Sequence, residues 1–214
     1  MAQGVHKITE QFEAKLCDYT GAPYAVAVDN CSNALFLALH WWKYKLNDGF
    51  LSVVEIPKHT YPAVPCEIIH SGNAVKFLES NRYLTGHYPL NGTTVIDSAL
   101  HFTADMYIPG SFMCLSFTGP YKHLKLGKGG AILTDNKDAY EWFKRARFSG
   151  RRECSYLEDD FDMLGWNFYM MPEIAAKGLQ LMDQFYTETG KKHNEPITHR
   201  YPDLSKYPIY GHLS

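Results

Sequence analysis

Six short apolar runs constrain this chain more than anything else in it. They are residues 24–28, 51–56, 74–78, 93–96, 112–117 and 131–134. Runs of this length are too short for a lone helix and suit strands buried on both faces. Helical patterns lie between and around them. Residues 8–19 place Ile8, Phe12 and Leu16 on one stripe, with Thr9 in a capping position. Residues 34–46, a stretch running to Ile69, residues 137–148 and residues 173–185 read the same way, and Pro172 suits a first helical turn. Strands alternating with helices from 24 to 134 predict an α/β fold. Its central sheet is expected to be mostly parallel, with helices on both faces. Residues 79–92 read as a polar, turn-rich connection. Beyond Thr187 the chain is polar and carries Pro196, Pro202 and Pro208, which rules out long helices. The expected organisation is therefore an α/β domain over 1–185 and an irregular C-terminal arm over 186–214.

Composition narrows the function classes. With 214 residues and 45% apolar residues, the chain can bury a sizeable core. A formal net charge of -2 creates no general field for nucleic acid or an anionic membrane, so neither is expected as a partner. A local basic cluster (Lys144, Arg145, Arg147, Arg151, Arg152) reads as a solvated face, with attraction of an anionic substrate as the weaker reading. Glu158, Asp159 and Asp160 form a compensating acidic run. The five cysteines are odd in number, widely spaced and without a C-x-x-C pair. That pattern suits reduced thiols and a cytoplasmic location. The first residues show no signal-peptide core, and no apolar run approaches the roughly 20 residues of a membrane span.

The chemistry concentrates in residues 114–134. A strand ends at Ser116, a turn through Gly119-Pro120 leads to Lys122, and Gly127-Lys128-Gly129-Gly130 leads into the next strand. A solvated hairpin lysine is the simpler reading of this stretch alone. Three other features alter the balance. Cys31 and Ser32 follow a strand and precede a helix, where free amides and the helix dipole favour a phosphate. Tyr61 offers a flat ring for stacking. Asp97 ends an apolar strand, at the rim where open α/β sheets bind ligands. Together these are the parts of a pyridoxal phosphate site. Lys122 meets the aldehyde, Asp97 keeps the ring nitrogen protonated, Tyr61 stacks on the ring, and Ser116 with the Cys31/Ser32 turn takes the phosphate.

In this order, Tyr24-Ala25-Val26-Ala27-Val28, Ser32-Asn33-Ala34-Leu35, Pro57-Lys58-His59-Thr60-Tyr61, Val95-Ile96-Asp97-Ser98-Ala99, Leu115-Ser116-Phe117 with Lys122, Gly127-Lys128-Gly129-Gly130 and Gly165-Trp166-Asn167 resemble the DegT/DnrJ/EryC1/StrS sugar aminotransferases. These belong to the fold type I, aspartate aminotransferase-like enzymes. The resemblance runs from about Phe12 to Asp183. It implies that Lys122 forms the internal aldimine, a Schiff base, and shuttles a proton. It implies that Asn167 reaches the phosphate of the other subunit of a homodimer with a shared active site. It further implies an amino-acid donor, typically glutamate, and a keto-sugar acceptor carried on a nucleotide.

The chain departs from that pattern in several places. One extra residue stands between Ser116 and Lys122. Where the family carries Gln or His three residues after the Asp, this chain has Leu100, with His101 next. His101 then serves the ring hydroxyl only if a local bulge re-aims it. Tyr169 stands where the family often has Arg. The Tyr61–Asp97 interval is short, and most of the family's C-terminal domain is missing. A relative that only binds a nucleotide sugar or a partner chain is therefore the alternative. Retention of Lys122 speaks for transamination, because the family's dehydratases lack that lysine.

Overall fold

A computed structural model describes residues 3–80 and 83–211. The elements run α1 (Gln3–Thr20), β1 (Tyr24–Val28), α2 (Cys31–Trp41), β2 (Val53–Pro57), α3 (Ala63–His70), β3 (Ala74–Leu78), β4 (Tyr83–Pro89), β5 (Val95–Leu100), β6 (Phe112–Ser116), β7 (Gly130–Thr134), α4 (Lys137–Ala146), α5 (Pro172–Met182), β8 (Tyr186–Thr187), β9 (Gly190–Lys191) and β10 (Thr198–Arg200).

All six apolar runs form strands, and the α/β class stands. The central sheet, in the order β1-β7-β6-β5-β4-β10, is mixed. Its β5–β6 pair is parallel, and its other pairs are antiparallel. A second parallel pair, β2–β3, stands apart. Part of the departure from a mostly parallel sheet, the β4–β5 and β4–β10 pairs, has a local origin. The polar stretch 83–89 is itself a strand, β4. It folds back on β5 through a tight turn closed by the Leu90 amide on the Val95 carbonyl, 2.9 Å. Antiparallel neighbours need only such a short connection. The C-terminal arm then returns to pair β10 with β4, Thr198 opposite Thr85, and so covers that edge of the sheet.

Strand alternation divides the core into two layers. Val26, Val28, Cys114 and Ile132 pack toward α2, α3 and α4. Ala25, Ala27, Met113, Leu115, Ala131 and Leu133 pack toward α1 and α5. Helices thus cover both faces, which explains why these strands read as unbroken apolar runs.

The basic cluster is not a solvated face. Arg147 is fully buried. It pairs with Glu13 on α1 and with Glu153 at 3.0 Å, and donates to the Ala27 carbonyl of β1 at 2.6 Å. Glu13 also accepts the Ala27 amide at 2.8 Å. The remaining cations have acidic partners as well: Lys144 with Glu153, Arg145 with Asp162, Arg151 with Asp159 and Arg152 with Asp160. The 158–160 acidic run supplies two of these partners. An arginine this deep needs acidic partners, and the loop after α4 supplies one of them, Glu153.

Candidate active site

A cavity of about 440 Å³ lies beyond the C-terminal ends of β1, β5 and β6. Six of the eight expected residues line it: Cys31, Ser32, Tyr61, Asp97, Ser116 and Lys122. The strand register explains the convergence. Asp97 pairs with Cys114 across β5–β6, and Ser116 pairs with Gly130 across β6–β7. The ends of neighbouring strands therefore meet at one rim.

The helix that faces this rim begins earlier than the sequence suggests. Asn30 caps α2, its side-chain oxygen accepting the Asn33 amide at 2.8 Å. Cys31 and Ser32 are therefore its first turn, where amides have no partner inside the helix. Gly130 lets the backbones meet there. A Cβ at that position would stand 2.6 Å from both Asn30 C and Cys31 N. The glycine-rich return is thus a close-approach device that presses the start of α2 against β7. Ser116 sits beside it, its hydroxyl accepting the Thr118 amide at 3.4 Å.

Lys122 is only 4% exposed. Its ammonium donates to the Ala99 carbonyl and lies 5.0 Å above the Tyr121 ring. Burial holds its pKa below that of an ordinary lysine, against the pull of the Asp97 charge. The turn that delivers it bends at Gly119, whose φ of 109° is disfavoured for side-chain-bearing residues. Leu124 and Leu126 bury themselves just beyond, and the Leu126 amide bonds the Phe117 carbonyl at 3.1 Å. Across this turn Lys122 lines the cavity.

Asp97 is 4% exposed. One of its oxygens accepts the Ala99 amide at 2.8 Å, the other the Tyr88 hydroxyl at 2.9 Å. Burial raises its pKa, while these two donors and Lys122 oppose the rise. The Cys31 thiol is pushed well up, first by burial and then by the Asp97 charge. It is a neutral group that makes only a weak contact, 3.6 Å, to the Cys114 carbonyl.

His101 and Asn167 do not line the cavity. The sheet does contain a bulge here, on β5: Gly86 pairs with Leu100 and Tyr88 with Asp97, so Ser98 and Ala99 stand opposite the single His87, yet it does not bring His101 to the cavity. The strand β5 ends at Leu100 and the chain turns away, the His101 amide bonding the Ser98 carbonyl at 3.1 Å. The His101 ring instead stacks on His87 with their Nδ1 atoms 2.9 Å apart. Leu100, not His101, faces the site. Asn167 is exposed on the strand-like bridge to Phe148, and Tyr169 bonds Thr9 of α1 at 3.0 Å.

Two lining residues are not among those expected from the sequence. Tyr88 comes from β4, the unrecognised strand. Tyr201 comes from the C-terminal arm, edge-on to Tyr61 at 6.1 Å between ring centres. The alternation of β4, exposed Tyr83 and Thr85 against inward Gly86 and Tyr88, was the available clue. For Tyr201 no periodicity exists to read.

The residues fit a phosphorylated aldehyde cofactor. Orphan amides at a helix start suit a phosphate, a buried amine suits the aldehyde, and a buried carboxylate suits a ring nitrogen. The volume lies within the range of small-molecule sites.

Comparisons with known proteins agree with this chemistry. AtS13 from Actinomadura melliaura superposes with a TM-score of 0.70 at 19% identity, over 82% of this chain and 59% of AtS13. The sugar aminotransferase CalS13 from Micromonospora echinospora gives 0.64 at 17% identity, over 83% and 61%. GDP-4-keto-6-deoxymannose-3-dehydratase, solved with a trapped PLP-glutamate geminal diamine, gives 0.62 at 15%, over 84% and 61%. At these identities the likeness establishes the fold, and the chain spans less than two thirds of each of these structures. No curated protein matches by sequence. Among the described residues, no helix is long and apolar enough to cross a membrane. The family profile matches residues 3–85 and 108–204 and passes over the interval that holds Tyr88 and Asp97. The chain belongs to the DegT/DnrJ/EryC1/StrS aminotransferase family, a family of pyridoxal phosphate enzymes.

Proposed function

We propose that this chain is a pyridoxal phosphate-dependent transaminase. It moves an amino group from an amino acid, glutamate first among the candidates, to a keto sugar, itself nucleotide-linked. The observation that carries this reading is the burial of the Lys122 amine in one cavity with Asp97 and the first turn of α2. When bound, the cofactor supplies an aldehyde that condenses with amines and a ring that withdraws electrons from the substrate carbon. The protein's residues do the rest. The amides of Cys31 and Ser32, with the Ser116 hydroxyl, hold the phosphate. Tyr61 covers the ring. Asp97 keeps a proton on the ring nitrogen. Lys122, with its pKa lowered by burial, stands ready to condense and then to carry a proton at Nζ. Asn167, exposed and away from its own cavity, reaches the phosphate site of a second copy in a homodimer, and the protein works in the cytoplasm.

Spectroscopy tests the assignment. Purified protein with added pyridoxal phosphate gains a visible band, and borohydride fixes the cofactor's mass on the peptide containing Lys122. A colourless protein, or a Lys122→Ala variant that keeps a reducible adduct, refutes the lysine's role. Glutamate then bleaches the band. Sedimentation of the cofactor-loaded protein shows a dimer, and a monomer holding the cofactor fully refutes the shared site. A second reading is favoured by Leu100 lining the cavity where the family carries Gln or His, namely a catalytically impaired relative that binds a nucleotide sugar or a partner chain. A band that forms on Lys122 and ignores every amino-acid donor supports that reading instead.

A further inference from the structure

We propose that Tyr88 is a positioning residue for Asp97, and that Thr60, Tyr88 and Asp97 form a buried relay that keeps this carboxylate ionised and aimed at a ring nitrogen. The inference rests on the reading of the cavity as a pyridoxal phosphate site.

The backbone sets the relay up. Tyr88 and Asp97 are direct cross-strand partners on β4 and β5, so their side chains share one face at close range. A bulge in β5, where Ser98 and Ala99 stand opposite the single His87, interrupts the ladder beside this pair. Bulges of this kind re-aim a side chain beside a site. The Tyr88 hydroxyl lies 2.9 Å from Asp97 and 2.5 Å from the Thr60 hydroxyl on the turn before α3. All three residues are buried.

Donor arithmetic fixes the direction of the chain. An ionised carboxylate only accepts, so the single phenol proton goes to Asp97. The phenol oxygen must then accept from Thr60, whose hydroxyl has its one proton to give. Each bond in such a chain polarises the next. Burial and the neighbouring Asp97 charge hold the Tyr88 hydroxyl well above its ordinary pKa. It therefore remains a donor. Asp97 has the Ala99 amide on its other oxygen. With one donor on each oxygen, its orientation is set and lone pairs remain for a ring N–H. Without Tyr88 the burial penalty on the charged form has one opponent fewer. The family profile passes over residues 86–107, the interval that holds Tyr88.

The test uses the full chain loaded with pyridoxal phosphate labelled with nitrogen-15 in the ring. Tyr88→Phe keeps the ring in the core and removes only the hydroxyl. Its nitrogen resonance should move from the protonated toward the neutral pyridine position. Its cofactor dissociation constant should rise by about tenfold, as expected for a lost bond to a charged group. Thr60→Val should shift the same resonance in the same direction by a smaller amount, and it stands in if Tyr88→Phe does not fold. A purely structural tyrosine would leave the resonance unmoved in both variants, and that result overturns the relay. Failure of the underlying site reading looks different: the unmodified protein then takes no cofactor onto Lys122 at all.

Discussion

Substituting Gly130 by alanine tests whether the start of α2 is the anion cradle. The new methyl would stand 2.6 Å from Asn30 C and Cys31 N and 2.8 Å from the Asn30 carbonyl oxygen. Carbon contacts are comfortable at about 3.5–4.0 Å, so the backbones must separate by on the order of 1 Å. The atoms in the way are main chain, and no rotamer change relieves them. Gly130 is held in place by β1 on one side and β6 on the other, so α2 must yield. Overpacking of this kind costs about 1–3 kcal/mol, here near the upper end. For a chain of this size that is a fall of about 4–12 °C in Tm. The displaced Cys31 and Ser32 amides should also weaken binding of pyridoxal phosphate by at least about tenfold. Thermal melts of the apoprotein and cofactor titrations followed by absorbance read the two effects separately. A variant that melts like the parent refutes the close-approach argument. A variant that melts lower but binds the cofactor equally well refutes the cradle.

Two further outcomes concern the buried charges beneath the site. Arg147→Met leaves Glu13 and Glu153 without their shared guanidinium and should cost about 3–5 kcal/mol in urea unfolding. Adding Glu13→Gln should recover part of that loss, because the amide side chain still accepts from Ala27. A double variant no more stable than the single one would show that the pairing is not what matters. Glu153 supplies a pH test. Burial raises its pKa, but Arg147 and Lys144 outweigh burial and hold it below its ordinary value of 4.5. A carboxyl depressed in the folded state adds stability that is fully present above 4.5 and lost as pH falls through the lower, folded value. The stability gap between the parent and Glu153→Gln should therefore be constant near neutrality and close in acid. A gap that widens on acidification contradicts the assigned direction.

How much was legible depended on whether a residue's neighbours lie close by in the chain or far away. Strands β1, β6 and β7 are buried on both faces, so their identity is written in unbroken apolar runs such as Tyr24–Val28. Lys122, Asp97, Ser116 and Tyr61 were findable because each stands at a strand end or beside a turn, where a polar residue in an apolar context has few other uses. The strand β4 was not findable, since Gly86, His87 and Pro89 are poor strand formers. It is stabilised by β5 and by a β10 more than a hundred residues away in sequence. The same distance hid Arg147, whose charge reads as surface until Glu13, 134 positions earlier, is seen to neutralise it. It hid Tyr201, whereas Tyr88 and His87 lie within fifteen positions of their partners Asp97 and His101 and were hidden with the strand β4 that carries them. The sequence by itself determined the α/β class and pointed to the lysine and the acid that line the cavity. Tertiary structure alone decided the mixed order of the sheet and which hydroxyl holds that acid, because the pairing and register of strands leave no periodic trace in the chain that makes them.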